Sequence, residues 1–293
     1  MLTPRTVLAL VVVQVLFGLH PIFSKLAFPY FGPGGVSAAR VIGAAVVFQA
    51  VRLARREPGL PWATHARIAV AALFGISANQ LLFLYGLSHT SATHAVLLIV
   101  CVPVVTLVAA LLTGRERASA ARVLGIAVAF AGAALVITGR GTMADGELVG
   151  DLMILGNAVA YAIYLLQVRD LLGVVPPWSL AAALFTWGVP QVLVVTGIPA
   201  IPDAPPAAWG ALAFVVLGST VATYLLNLFA LRSVPASVVA VFVCIQPTIA
   251  AALAWPLLGE RLDGRTLLAG GVTIVGMVVA TRRVPERTAA AAG

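Results

Sequence analysis

Asn157, Tyr161 and Tyr164 stand four and three residues apart, and Gln14, Phe17, Gly18, Pro21 and Lys25 recur at the same spacings, so each set forms one stripe of a helix. Two further sets have the same character: Asn79, Gln80 and Phe83, and Thr223, Tyr224 and Asn227. Amides beside aromatic rings do non-covalent chemistry: they hydrogen-bond a polar head while a flat or bulky apolar body stacks on the rings. Gln246 adds another amide, and His20 and His94 could change charge near neutral pH. Each set also has a plainer reading, because Asn and Gln bond helix to helix inside membranes. Covalent and metal chemistry find fewer candidates. The ten acids (Glu57, Glu116, Asp145, Glu147, Asp151, Asp170, Asp203, Glu260, Asp263 and Glu286) all avoid the middle of the apolar runs. Cys101 and Cys244 lie in separate runs and read as packing residues, no His/Cys/acid set has metal-ligand spacing, and no phosphate-binding glycine loop is present. No cofactor, ATP hydrolysis or carboxylate proton relay is expected.

The elements that must position these stripes follow from composition. The chain has 293 residues, of which 61% are hydrophobic and 10% charged, with a mean hydropathy of +1.06. A soluble domain is about half apolar and a quarter charged, so most of this chain must lie in lipid. The apolar runs are continuous rather than alternating, which predicts helices and not a barrel. Ten spans are expected, at 6–28, 34–52, 66–87, 92–113, 121–139, 149–169, 178–198, 207–230, 236–258 and 266–281. The first run outlasts a signal-peptide core and lacks a small-residue cleavage site, so it reads as a signal anchor. With a cytoplasmic N-terminus, thirteen Lys/Arg residues fall in cytoplasmic segments and only Arg140, Arg261 and Arg265 on the opposite side. This is the positive-inside asymmetry, with both termini cytoplasmic in the inner (plasma) membrane. The net charge of +8 is therefore topogenic, and no nucleic-acid partner is expected.

The chain is one sequence used twice. Shifted by 144 residues, Pro103 meets Pro247, Glu116 meets Glu260, Arg117 meets Arg261, Gly132 meets Gly276 and Phe17 meets Tyr161. Across 79–132 against 223–276, twelve of 54 pairs are identical, where about five are expected by chance for this composition. Five spans per copy is an odd number, so the second copy must enter the membrane upside down. Inverted repeats are characteristic of secondary transporters, whose mirrored halves open alternately to either side.

The stretches "LLGERLDGRTLLAGGVTIVGMVV" (257–279), its counterpart "LTGRERASAARVLGIAVAFAGAALVI" (112–137) and "LFGLHPIFSK" (16–25) carry a resemblance. Each of the first two has a glutamate closing one span, a short polar loop, then a glycine-studded span. In these features the chain resembles the EamA-type members of the drug/metabolite transporter superfamily, over nearly its whole length. The resemblance implies an all-α fold of ten transmembrane helices around a central cavity, and export of small organic metabolites. Within the superfamily it looks most like the YddG-like exporters of aromatic amino acids.

The expected organisation is a first repeat at 1–139, an external linker at 140–148, a second repeat at 149–283 and a cytoplasmic tail at 284–293. The expected substrate site combines Gln14, Phe17, Asn79, Gln80, His94, Asn157, Tyr161, Tyr164, Tyr224, Asn227 and Gln246, from spans 1, 3, 4, 6, 8 and 9. Pro21, Pro103 and Pro247 are the expected hinges. Such a pocket, read as uncharged, suits a bulky neutral amino acid. Glu116 and Glu260 are expected to pair with neighbouring arginines, and Lys25 to snorkel to the head groups. A membrane-embedded enzyme or a receptor is the rival of a different class, and the only acid/base candidates for the former are isolated histidines.

Overall fold

A computed structural model describes residues 3–57, 59–114, 120–138, 147–234, 239–240, 242–246 and 264–281. The described residues are helical almost throughout: α1 (Pro4–Ala54), α2 (Trp62–His89), α3 (Ala92–Ile99), α4 (Val102–Leu112), α5 (Ala120–Thr138), α6 (Glu147–Leu171), α7 (Pro177–Thr196), α8 (Pro206–Ser233) and α9 (Gly264–Thr281), with a 3₁₀ turn at Phe242–Ile245. Among them, six helical stretches are long and apolar enough to cross a membrane: α1, α2, His94–Leu112, α6, α7 and α8. Most of the expected ninth span (236–258), including Pro247, and both Glu116 and Glu260 lie outside the described residues.

At about 1.5 Å per residue, the 51 residues of α1 would run about 77 Å, more than twice the hydrocarbon thickness. The run is broken at Gly32, where φ is 62° and ψ 170°. Both angles have causes in the sequence. Positive φ carries no Cβ penalty for glycine, and Pro33 forbids helical ψ to its predecessor. Two span-length helices, 4–31 and 33–54, result. The backbone stays helical at Pro21.

Two other pairs of departures from regular helix follow the 144-residue repeat. A π-helical turn at Leu73–Ala78 in α2 is matched by one at Phe214–Ala222 in α8, and 73–78 shifted by 144 falls on 217–222. The helix break at Val100 and Cys101, where amides bond three residues back to Leu97 and Leu98, is matched by the 3₁₀ turn Phe242–Ile245. Pro103 sits in the first turn of α4, where its missing N–H is not needed. It therefore marks a helix start after an interruption rather than a kink within one continuous helix.

Two sets of contacts away from the cavity join the copies. On α7 a polar ladder reaches back to the first copy: Glu57 Oε2 accepts from Ser179 N (3.1 Å) and Ser179 Oγ (2.6 Å), Trp187 Nε1 donates to His65 Nδ1 (3.1 Å), and Gln191 Nε2 donates to Ala69 O (3.0 Å) while its Oε1 accepts from Ser77 (2.7 Å). The carboxylate at the N-terminus of α7 also meets the positive end of the helix dipole. Elsewhere α5 crosses α9 at glycine. A Cβ on Gly276 would stand 2.7 Å from Ala129 Cα, and one on Gly132 would stand 2.8 Å from Thr273 Cα. Since 129 and 132 shifted by 144 are 273 and 276, the contact is reciprocal, as across a two-fold axis. Gly276→Leu is expected to cost about 1–3 kcal/mol by overpacking, read as a lower unfolding temperature of the purified protein. An unchanged unfolding temperature would mean that the crossing is loose.

Candidate functional site

A cavity lies among α1, α2, α3, α4, α6 and the 3₁₀ turn. Part of its lining comes from the places where helix geometry is interrupted. Asn79 follows the π-helical turn of α2, Ile99 and Val102 flank the break between α3 and α4, Val243 lies in the 3₁₀ turn and Gln246 directly follows it. Irregular backbone at membrane depth is tolerated where protein or a cavity, and not lipid, receives its polar groups. The rest of the lining is Phe17, His20, Arg40, Phe83, Asn157 and Tyr161.

The expected residues divide into two layers. Phe17, Asn79, Asn157, Tyr161 and Gln246 face the cavity. Phe17 and Tyr161 are repeat partners, so each copy supplies one aromatic wall. Asn157 Nδ2 donates to the Asn79 carbonyl at 2.6 Å, joining α6 to α2 directly below the π turn. Gln246 Nε2 donates to Gln14 Oε1 at 2.6 Å, so Gln14 supports the lining without being part of it. Tyr164, Tyr224 and Asn227 form a shell behind Tyr161. Asn227 Nδ2 donates to Tyr161 Oη (3.2 Å), Tyr164 stacks on Tyr161 with centroids 5.9 Å apart, and Tyr224 Oη donates to Gly75 O (2.6 Å), a carbonyl of the first π turn. Gln80 is buried outside the lining. His94 stands in the first turn of α3, whose cap is Ser91, and does not line the cavity. The eighth span thus contributes the second layer rather than the wall. Its place in the lining is taken by the second half of α1.

That half brings Arg40, and the expectation of an uncharged pocket is corrected by it. Arg40 is 3% exposed, with Nε donating to Thr220 Oγ1 at 2.8 Å and Nη2 to Ser219 O at 3.4 Å. Both acceptors belong to the π turn of α8. Thr220 donates its own hydroxyl five residues back to Val215 O (2.8 Å), which leaves its oxygen free to accept from Arg40. The charge tally of the sequence places Arg40 on neither side of the membrane, because it stands inside the apolar run expected at 34–52. That depth was the available signal, since an ionisable residue within a span costs about 2.5–3.5 kcal/mol on insertion scales and is rarely without function. His20 and Phe83 complete the polar–aromatic wall, their rings stacked at 4.9 Å, with His20 Nε2 buried and without a partner among the described residues.

The Gln14–Gln246 bond spans 232 residues and is testable by a double-mutant cycle. Replacing either glutamine by leucine strands the other amide. The double replacement is therefore expected to cost less than the sum, with a coupling of about 0.6–1.7 kcal/mol in unfolding free energy. Additive losses would show that the two amides do not depend on each other.

Comparison with known proteins agrees with this architecture. The uncharacterized transporter YyaM of Bacillus subtilis (strain 168) is 27% identical over 279 residues, which is 90% of each chain. A protein of Streptantibioticus cattleyicolor named "Probable terminal-alkyne amino-acid exporter" is 26% identical over 266 residues, covering 88% of this chain and 86% of that one. A chain in a solved crystal structure superposes with a TM-score of 0.66 over 94% of this chain and 96% of its own, at 18% identity, a likeness of fold. The pattern of the EamA-like transporter family matches twice, at residues 4–138 and 148–282, on either side of the boundary that the 144-residue repeat implies. With two such repeats in an apolar chain whose described residues are helical almost throughout, this protein belongs to the EamA-like transporter family, within the drug/metabolite transporter superfamily.

Proposed function

We propose that this protein is a secondary transporter that exports aromatic and other bulky neutral amino acids by alternating access. In this reading the chain forms ten transmembrane helices, as two inverted repeats at 1–139 and 149–283 joined by an external linker, with both termini in the cytoplasm of an inner (plasma) membrane. The observation that carries it is the cavity itself. Phe17 and Tyr161, equivalent residues of the two copies, face one space together with Asn79, Asn157 and Gln246. A site shared by two related halves is what alternating access requires, because rocking one half against the other exposes it to each side in turn. The reciprocal glycine contact of α5 and α9 supports the two-fold relation. The amino-acid exporter named among the relatives supports the substrate class. Bending is assigned to the interrupted helices, at Pro103 and its partner Pro247, with Pro21 as a further hinge.

Uptake of labelled phenylalanine, tryptophan and leucine into proteoliposomes, with and without a pH gradient, tests the proposal. Entry that excess unlabelled amino acid suppresses is expected, and dependence on the gradient would identify proton coupling. If no amino acid enters while a nucleoside or lipophilic cation does, the assignment fails.

A further inference from the structure

We propose that Arg40 is the anchor for the carboxylate of the transported solute, so that the site selects bulky monocarboxylates and zwitterions and rejects organic cations. The inference rests on the transporter reading above and deepens it. A guanidinium that is 3% exposed inside a membrane protein needs a compensating anion. Among the described residues no carboxylate lies within ion-pair distance of it, and its two bonds, to Thr220 Oγ1 and Ser219 O, go to neutral groups. The charge is therefore held in position but not neutralised.

The geometry of those bonds decides what is left over. Nε and Nη2 share the side edge of the guanidinium, and the π turn of α8 occupies that edge. The end edge, Nη1 with the second Nη2 hydrogen, has no acceptor among the described residues, and Arg40 lines the cavity. An end-on guanidinium pairs with a carboxylate through two parallel hydrogen bonds, a geometry that lysine cannot reproduce. His20 Nε2, buried in the same wall and unpartnered among the described residues, offers a second polar contact to that head group. Phe17 and Tyr161 remain to cover an apolar side chain, and the amides of Asn79 and Asn157 to meet an amine. A cation without a carboxylate would instead place a second positive charge beside Arg40, and no described acid lines the cavity to offset it.

Three probes separate the alternatives in competition and thermal-shift assays on the purified full-length protein: L-phenylalanine, 3-phenylpropionate and L-phenylalaninamide. Phenylalanine and phenylpropionate are expected to bind at least about tenfold more tightly than the amide, a difference of about 1.4 kcal/mol. Arg40→Gln is expected to abolish that preference, and Arg40→Lys to retain only part of it. Wild-type protein that takes phenylalaninamide as well as phenylalanine overturns the anchor while leaving amino-acid transport standing. Binding of phenylpropionate without phenylalanine supports the anchor and removes the amino-acid assignment. If none of the three binds, both fall. The wild-type comparison decides the matter even if Arg40→Gln fails to fold, and a folded Arg40→Gln that keeps the tenfold preference also overturns it.

Discussion

Gly75→Val is expected to abolish transport, to about 1% of the wild-type rate, with a stability loss of about 1–3 kcal/mol. Gly75 lies in the π turn of α2, and a Cβ built on it would enter the Tyr164 ring, standing 2.5 Å from Cε2 and closer still to Cδ2 and Cγ. The ring cannot give way cheaply. Tyr164 is 1% exposed and sits between Tyr161, on which it stacks, and Tyr224, whose ring centroid is 6.0 Å away. Tyr224 in turn donates to the carbonyl of Gly75 itself (2.6 Å), so the added side chain pushes on the ring that supports the cavity wall and on the bond that ties α8 to α2. Gly210→Ala is the matched control. No atom lies within 4 Å of its would-be Cβ among the described residues, and the substitution is expected to leave transport unchanged. Normal transport by Gly75→Val protein would show that the tyrosine shell does not position the site.

Asn157→Leu is expected to reduce transport by a similar factor, about a hundredfold, while the protein still folds. Leucine matches asparagine in size but cannot donate to the Asn79 carbonyl, the 2.6 Å bond that holds α6 against α2 at the cavity wall. The stability cost of one interhelical hydrogen bond in a membrane is small, about 0.6 kcal/mol on average, so unfolding should move little. The effect on transport is larger because both residues line the cavity, and a displacement of about 1 Å in a positioned polar group disrupts its geometry. A variant that folds and transports at the wild-type rate would remove Asn157 from the site. One that fails to fold would make the bond structural.

Much of the fold was legible in the sequence because the membrane imposes simple rules. Continuous apolar runs about 20 residues long can only be helices in lipid, and the runs expected at 66–87, 149–169, 178–198 and 207–230 correspond to α2, α6, α7 and α8. The 144-residue repeat told which positions are equivalent, and the paired π turns and paired helix breaks obey it. A helical stripe of polar residues reveals that a face avoids lipid, since the cost of lipid exposure is local to that helix. It carries no information about what the face meets. That depends on which helices pack together, and the decisive contacts join residues far apart in the chain: Arg40 with Thr220 across 180 residues, Gln14 with Gln246 across 232. Only the tertiary structure could bring Arg40 into the cavity, set Tyr164, Tyr224 and Asn227 one layer behind it, and leave His94 in the first turn of α3. The polar character of the site was thus written in single helices, and its charge was decided by their packing.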